Sequence, residues 1–474
     1  MDSQQSLYQS PFEMGSKIQL STTAQNRLDS TSTSPLSVQI DQNCIDQKKT
    51  IKNGSSIRTH TLKMQDTQQR ETTLRALEQD PCVVGVGNAL LMHKDQTSTA
   101  MKLDPDDKKA QHLDFLKQPE ANAIFFDSQQ GIQEDVIIAI IDDGVDLQHE
   151  DLMANIWTNQ NEIPNNGIDD DTNGYVDDIH GYNFASNIGD PNPQTGVSGE
   201  SIHGTHVAGL AAARYGNTKG AYGTAGQKVK LMVLNVFGKQ AGAYSADIEN
   251  AIRYAADQGA QVINMSLGGP GKSSTEEAAI VYALNKGVSI VTAAGNNGAK
   301  LSDTYFFSPG SYAEKYAGMI NVGAIDISTN KKTNYSNYSP QYVEIAVPGS
   351  NNESKYDGLY STLPNGKYGR LEGTSMAAPL VTGAVAMAIG LLKARFFQPT
   401  PKTVEEILKS SSIINPNLLS QIENGKVLSS LSLAQAIMSK TNGEENPSGP
   451  QFPLPDDSEN DNEGPVPPPN SDCP

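Results

Sequence analysis

Three short stretches of the sequence place a chemically reactive side chain next to a turn or a helix start. They read AIIDDG at residues 139–144, HGTHVAG at residues 203–209 and GTSMAAP at residues 373–379. Acyl transfer needs a nucleophilic hydroxyl, a base with a pKa near neutrality to take its proton, and a buried carboxylate to orient that base. In chain order, Asp142, His203 and Ser375 supply a carboxylate, an imidazole and a hydroxyl, so the sequence predicts acyl-transfer chemistry.

A fourth stretch, AAGNNG at residues 293–298, follows a predicted buried strand. The side-chain amide of Asn296 can donate to an oxyanion while the backbone amide of Ser375, at a helix start, donates a second bond. Each residue alone also has a structural explanation, as an N-cap, a strand-end cap, a core histidine or a turn residue. Because all four occur together, in the order and contexts that the chemistry needs, we favour the catalytic interpretation.

The elements that must position these side chains alternate between strands and helices. Residues 135–141 (DVIIAII) form a β-branched run typical of a strand buried on both faces of a parallel sheet. Further on, the patterns predict strands at 231–237, 262–266, 288–293, 320–325 and 343–347, and helices at 246–258, 275–285, 374–392, 403–410 and 431–438. This alternation predicts an α/β fold with a doubly wound, mostly parallel sheet and helices on both faces. Ligand chemistry in such folds lies at the carboxyl ends of the strands.

Composition divides the chain into four parts. Residues 1–60 are polar and predict a mostly disordered segment. Residues 61–103 carry a predicted helix at 70–79 and a strand at 81–86, and form either a pro-region remnant or a segment that pads the main domain. Residues 104–440 are the main domain. Residues 441–474 form an acidic, Pro-rich tail that we expect to be disordered.

The net charge and the cysteine content exclude some classes of binding partner and of fold. The chain of 474 residues has a formal net charge of -19 and a pI of about 4.8, which argues against nucleic acid or an anionic membrane as the main partner. Three cysteines do not indicate a disulfide framework. Neither a signal peptide nor an apolar run of membrane-spanning length is visible, and we expect a monomer.

The four reactive stretches resemble the signature sequences of the subtilisin-like serine proteases, and the likeness extends from about residue 104 to residue 438. The resemblance implies Ser375 as nucleophile, His203 as general base and acid, and Asp142 as its orienter. It also implies Asn296 and the Ser375 amide as the oxyanion hole, with no cofactor required for the chemistry.

Two choices within these stretches rest on the family pattern. The catalytic carboxylate of the family comes directly after the apolar strand, which selects Asp142 over the adjacent Asp143. The first histidine of the second stretch matches the catalytic one, so His206 is expected to pack or cap.

The resemblance implies a serine endopeptidase that acts on peptides or proteins through an acyl-enzyme intermediate, with a secreted or cell-envelope location. The alternatives are a catalytically silent peptide-binding scaffold and a specialised maturation protease for one partner. If the N-terminal region is a pro-region, self-cleavage is expected near Asp104.

Substrate contacts follow from the same resemblance. The SLGGP stretch at residues 266–270 is similar to the edge segment on which these proteases bind a peptide as an added strand. The walls of the pocket for the residue before the cut are then Ser266, Leu267, Gly268, Gly269, Ala293, Ala294 and Gly295. Phe307 is either the floor of this pocket or an ordinary core residue. As a floor, it predicts a shallow, apolar pocket without a carboxylate to select Lys or Arg.

Two groups of oxygen-bearing residues are candidate calcium sites. The first lies in the acidic loop 169–178, where side-chain oxygens recur around a glycine; its candidate ligands are Asp169, Asp171, Asn173 and Asp177. It departs from an EF-hand because His180 stands where the bidentate acid belongs, and a solvated acidic loop is the alternative. The second group, Asp151 and Asn217, resembles a calcium site of many subtilases but departs from that pattern around Arg214.

Overall fold

The computed structural model describes residues 36–41, 57–62, 77, 83–88, 91–94, 110–127, 130–194, 201–238, 242–350 and 358–443. Its strands are β1 (Leu36–Asp41), β2 (Ile57–Leu62), β3 (Val83–Asn88), β4 (Leu91–Lys94), β5 (Val136–Asp142), β6 (Gly181–Asn183), β7 (Val229–Asn235), β8 (Ala243–Tyr244), β9 (Val262–Met265), β10 (Leu267–Pro270), β11 (Ser289–Ala293), β12 (Phe307–Ser308), β13 (Met319–Asp326), β14 (Lys331–Lys332), β15 (Ile345–Ser350), β16 (Leu359–Leu363), β17 (Lys367–Leu371), β18 (Ile413–Ile414) and β19 (Lys426–Val427). Its α-helices are α1 (Gln111–Phe115), α2 (Gln118–Phe125), α3 (His203–Ala212), α4 (Ser245–Asp257), α5 (Ser274–Asn285), α6 (Thr374–Ala394), α7 (Pro401–Ser410) and α8 (Ser430–Gly443).

A large, mostly parallel sheet forms the centre of the molecule. Its strand order is β18-β19-β15-β13-β11-β9-β5-β7-β6. All neighbours from β15 to β6 pair in parallel, whereas β14 and β18 add short antiparallel pairs. The predicted α/β fold with a doubly wound, mostly parallel sheet is confirmed.

Helices cover both faces of this sheet, as the alternation of side chains along β5 requires. Ile138 and Ile140 pack in the cluster that contains α6, whereas Ala139 and Ile141 pack in the cluster that contains α4 and α5. Helix α6 has a mean hydropathy of 1.8 over its most apolar 18 residues and meets the length and composition criteria for a membrane span. The expectation of no apolar run of that length is therefore wrong. That window is wholly buried, however, and α6 lies against five strands of the sheet as a core helix.

The N-terminal region contains more regular structure than its composition indicates. Strands β1, β2 and β3 form an antiparallel sheet in the order β2-β1-β3. Strand β1 and most of β2 lie within residues 1–60, the segment that the sequence predicts to be mostly disordered. These short strands are stabilised by pairing and by packing, β1 and β2 on α4 and β3 on α5, which composition cannot reveal. The predicted helix at 70–79 and the acidic tail lie almost wholly outside the described residues.

Candidate active site

The carboxyl ends of β5 and β9 lie side by side at one edge of the central sheet. Ile141 pairs in parallel with Met265, so the next residues, Asp142 and Ser266, occupy neighbouring positions. The first residue of α3 contacts Asp142, and the second residue of α6 contacts Ser266. The sheet edge thus gathers the residues that the sequence predicts to be catalytic.

His203 and Asp142 form a buried pair. The Nδ1 atom of His203 lies 2.7 Å from Oδ1 of Asp142, and the two side chains are 0% and 1% exposed. A carboxylate at this distance holds the proton on Nδ1, which leaves Nε2 as a proton acceptor. Nε2 of His203 has no hydrogen-bond partner among the described residues. This is the arrangement that a general base needs.

Asp143 and His206, the residues next to the predicted catalytic pair, have structural roles. Asp143 accepts hydrogen bonds from the backbone N–H groups of Gly204 (2.6 Å) and His203 (3.4 Å), and so caps the start of α3. His206 is fully buried, and its Nε2 lies 3.0 Å from the carbonyl oxygen of Leu359. Burial, with repulsion from His203 added, lowers the pKa of His206 to about 3. It therefore packs as a neutral residue.

Ser375 is held on the neighbouring strand end by reciprocal hydrogen bonds with Ser266. Its Oγ donates to the carbonyl oxygen of Ser266 at 3.0 Å, and Oγ of Ser266 donates to the carbonyl oxygen of Ser375 at 2.8 Å. Nδ2 of Asn264 donates to Oγ of Ser266 at 3.0 Å. These contacts fix the first turn of α6, and with it the backbone amide of Ser375, against the sheet.

Asn296 is oriented by Thr374, the residue before the serine. Its Oδ1 accepts hydrogen bonds from the backbone N–H (3.0 Å) and the hydroxyl (2.9 Å) of Thr374, while the same hydroxyl accepts from the N–H of Gly295 (3.1 Å). These bonds identify the oxygen end of the amide. Nδ2 of Asn296 is buried and finds no acceptor in the described part of the chain. A buried donor without an acceptor is costly and suits an oxygen that a ligand supplies.

Comparisons with known proteins agree with this geometry. Residues 133–448 match the family described as the subtilase family. The thermophilic serine proteinase of Bacillus sp. (strain AK1) is 36% identical over 250 residues, covering 53% of this chain and 51% of that protein. Thermitase of Thermoactinomyces vulgaris is also 36% identical over 250 residues, covering 53% of this chain and 73% of its own. A solved protease from Pseudoalteromonas arctica PAMC 21717 aligns with a TM-score of 0.51 and 26% identity, covering 67% of this chain and 97% of that one.

The chain belongs to the subtilase family. Its predicted enzyme class, serine-type endopeptidase, is confirmed by the same comparisons. The matched region contains all four residues that the sequence predicts for the triad and the oxyanion hole. The chain spans about half the length of the first relative.

The predicted substrate edge of this subtilase is already paired on both sides. Strand β10 lies between β12 and β4, and both pairs are antiparallel. In the second pair, Gly268 is opposite His93 and Leu267 is opposite Lys94. Strand β4 also pairs with β8 on its other side. A segment of the N-terminal region therefore lies as an added strand on the edge where the resemblance places the substrate.

The other predicted wall of the pocket follows β11. Ala293 and Ala294 are fully buried, and Gly295 has a φ of +97°, a value that favours glycine. Phe307 is 4% exposed and belongs to the same apolar cluster as Ala294 and Leu301.

The acidic loop gathers carboxylates around a residue that sequence reasoning missed. Carboxylate oxygens of Glu162, Asp169 and Asp171 lie within 4.8 Å of one another. Glu162 precedes the loop, and its Oε1 accepts the N–H groups of Asp170 (2.8 Å) and Asp171 (3.2 Å). Desolvation raises the pKa of Glu162 to about 6. No spacing rule for the loop itself points to this glutamate, since it is brought in by the fold.

The other predicted ligands of this loop are placed differently. Nδ2 of Asn173 donates to Oδ2 of Asp171 at 3.2 Å, so Asn173 contacts the cluster. The carboxylate of Asp177 turns away and accepts the backbone N–H groups of Asn166 (3.0 Å) and Gly167 (3.1 Å).

The second predicted calcium pair is in contact, through hydrogen bonds. Nδ2 of Asn217 donates to Oδ1 of Asp151 at 2.5 Å. Oδ2 of Asp151 accepts from the N–H of Ala221 (3.0 Å) and the hydroxyl of Tyr368 (2.7 Å). Both carboxylate oxygens of Asp151 therefore accept protein donors.

Proposed function

We propose that this subtilase hydrolyses peptide bonds through an acyl-enzyme on Ser375. The observation that carries the proposal is the buried 2.7 Å contact of His203 with Asp142, next to the strand end that holds Ser375.

The proposed reaction uses each group once in acylation and again in deacylation. Substrate binding brings the Ser375 hydroxyl from the Ser266 carbonyl to Nε2 of His203, which takes the proton as Oγ attacks the scissile carbonyl. Asp142 stabilises the resulting imidazolium. Nδ2 of Asn296 and the backbone N–H of Ser375 donate to the oxyanion. His203 then protonates the leaving amine, and a water molecule, activated by the same imidazole, hydrolyses the ester.

Hydrolysis of a quenched-fluorescence peptide library tests this function. We expect turnover by the wild type and a loss of several orders of magnitude in Ser375→Ala and His203→Ala. A silent scaffold predicts the opposite pattern, in which peptides bind with similar affinity to all three proteins and none is cut.

We further propose that the N-terminal region is an inhibitory pro-segment. Two features support this: β4 pairs with the substrate edge, and β2 is fixed to α4. The N–H and carbonyl groups of Thr59 exchange hydrogen bonds of 2.7 Å with the side-chain amide of Asn250. The pairing of Lys94 with Leu267, next to Ser266, places the end of β4 beside the strand end that holds Ser375. Self-cleavage is therefore expected between Lys94 and Asp104.

Calcium binding is proposed for the cluster of Glu162, Asp169 and Asp171. Three carboxylates within 4.8 Å of one another suit a hard cation with oxygen ligands. The ion would neutralise their mutual repulsion and stabilise the loop, and the peptide chemistry itself does not require it.

A further inference from the structure

Phe307 lies at the substrate edge, with its backbone in β12. Strand β12 pairs with β10 on the side opposite β4, with Pro270 opposite Phe307 and Gly269 opposite Ser308. The backbone N–H of Phe307 donates to Oγ of Ser311 at 3.1 Å, and the side chain is buried. The backbone hydrogen bond and the apolar packing together fix the position of the ring.

One edge of this ring contacts both backbone walls of the predicted pocket. A β-carbon added at Gly268 would lie 2.3 Å from Cε1 of Phe307, and one added at Gly295 would lie 2.8 Å from both Cε1 and Cζ. Such separations are shorter than van der Waals contact. The ring edge therefore fills the space between Gly268 and Gly295, and only glycine at these two positions leaves room for it.

The space between these glycines adjoins the reacting groups. Gly268 comes two residues after Ser266, whose carbonyl oxygen accepts the hydrogen bond from Ser375. Gly295 directly precedes Asn296, whose Nδ2 faces no acceptor among the described residues. On the proposed function, on which this inference rests, the side chain of the residue before the scissile bond enters this space.

We infer that Phe307 closes this pocket and restricts the enzyme to peptides with a small residue, Gly, Ala or Ser, before the cleaved bond. A large side chain there must displace a ring that packs in the same buried cluster as Ala294 and Leu301, because protein interiors have little free space. The ring acts on substrate choice alone, since it contributes no group to proton transfer or to the oxyanion hole.

The test is a set of peptides that differ only in the residue before the cut: Gly, Ala, Ser, Leu or Phe. For the wild type we expect kcat/KM to be at least about tenfold higher for Ala than for Phe, the scale on which apolar pockets discriminate. Phe307→Ala is expected to raise kcat/KM for the Phe peptide at least about tenfold. Phe307→Leu keeps most of the apolar packing, so we expect a smaller change in the ratio of kcat/KM for the Ala peptide to kcat/KM for the Phe peptide. This variant replaces Phe307→Ala in the test if the alanine variant fails to fold.

Phe306→Ala is the matched control. It removes the neighbouring ring, which packs against Tyr312 with ring centroids 4.8 Å apart. The Ala-to-Phe ratio should stay at the wild-type value in this variant. A wild type that cleaves the Phe peptide as well as the Ala peptide overturns the inference.

Labelling with a fluorophosphonate, which makes no demand on this pocket, separates the two proposals. Labelled enzyme without a preference for small residues overturns the pocket inference and leaves the proposed function standing. Enzyme that neither cleaves nor is labelled overturns both.

Discussion

Asp142 and Asp143 are adjacent in the sequence, but their carboxylates contact different groups of α3. Successive side chains of a strand point to opposite faces, so only one of the two acids can meet the imidazole. Asp142 contacts Nδ1 of His203, and Asp143 accepts backbone N–H groups at the helix start. Asp142 should therefore affect the catalytic rate, whereas Asp143 should affect the stability of the fold.

Asparagine substitutions test this division. We expect Asp142→Asn to lower kcat about 10⁴-fold, because the amide favours the wrong imidazole tautomer. Asp143→Asn should change kcat far less and lower the free energy of unfolding by about 0.5–2 kcal/mol, the range for a weakened helix cap. Steady-state kinetics and urea unfolding of both variants provide the measurements. An equal loss of kcat in the two variants contradicts the assignment.

Asn296→Ala is expected to lower kcat about 10²–10³-fold, a range that comes from the related enzyme subtilisin, with KM nearly unchanged. The donor acts on charge that develops only in the transition state, so ground-state binding is little affected. Asn297→Ala is the matched control, because that side chain is exposed and follows directly in the chain. A rise in KM without a fall in kcat would indicate that Asn296 binds substrate instead.

At the level of elements, the sequence predicted the central sheet well and the N-terminal sheet poorly. Strand β5 is a run of β-branched residues buried on both faces, a pattern that few other structures produce. Strands β1 and β2 carry polar residues such as Gln39 and His60, and their stability depends on contacts with α4 that lie far away in sequence. Sequence reasoning also missed Glu162, because this residue precedes the loop and stands outside its spacing pattern.

Helix α5 begins with a buried acid that should make stability depend on pH. Burial raises the pKa of Glu276 to about 8, although the Ser308 hydroxyl donates to it. Between the ordinary pKa of 4.5 and about 8, the folded state holds a proton that the unfolded state releases. The free energy of unfolding should therefore fall as pH rises through this window.

Urea unfolding at several pH values from 5 to 8 measures this dependence, in the Ser375→Ala background to prevent proteolysis. We expect Glu276→Gln to flatten the fall, because it removes the titrating proton. Glu406→Gln removes the same charge from an exposed position of α7, where the side chain is 62% exposed, and should leave the fall unchanged. A fall of equal steepness in the Glu276 variant contradicts the prediction.

The loop around Glu162 should respond to metal removal. If calcium holds the three carboxylates together, a chelator should lower Tm by several degrees, because binding to the folded state alone contributes about 2.7 kcal/mol at a concentration 100 times Kd. Asp171→Asn should abolish the chelator effect. Asp177→Asn is the control, because that carboxylate binds backbone amides outside the cluster. A chelator effect that persists in Asp171→Asn places the ion elsewhere.

At the scale of the whole molecule, the N-terminal region contacts both the substrate edge and helix α4. Strand β4 pairs with β10 and β8, while β2 contacts α4 through Thr59 and the acidic loop through Arg58, which donates to the carbonyl oxygen of Asn173 at 2.6 Å. The sequence predicted a pro-region or a padding segment and left the choice open. Pairing at the substrate edge favours the pro-segment, and sequence patterns contain no signal for such a long-range contact.

Intact-mass analysis of the wild type and of Ser375→Ala, each with and without a fluorophosphonate, tests the central claim most directly. We expect the wild type to gain the mass of one probe and to have a new N-terminus between Lys94 and Asp104. The alanine variant should gain no mass and keep its full length. A wild type that stays unlabelled, or a label that persists in Ser375→Ala, would contradict the assignment of Ser375 as the nucleophile.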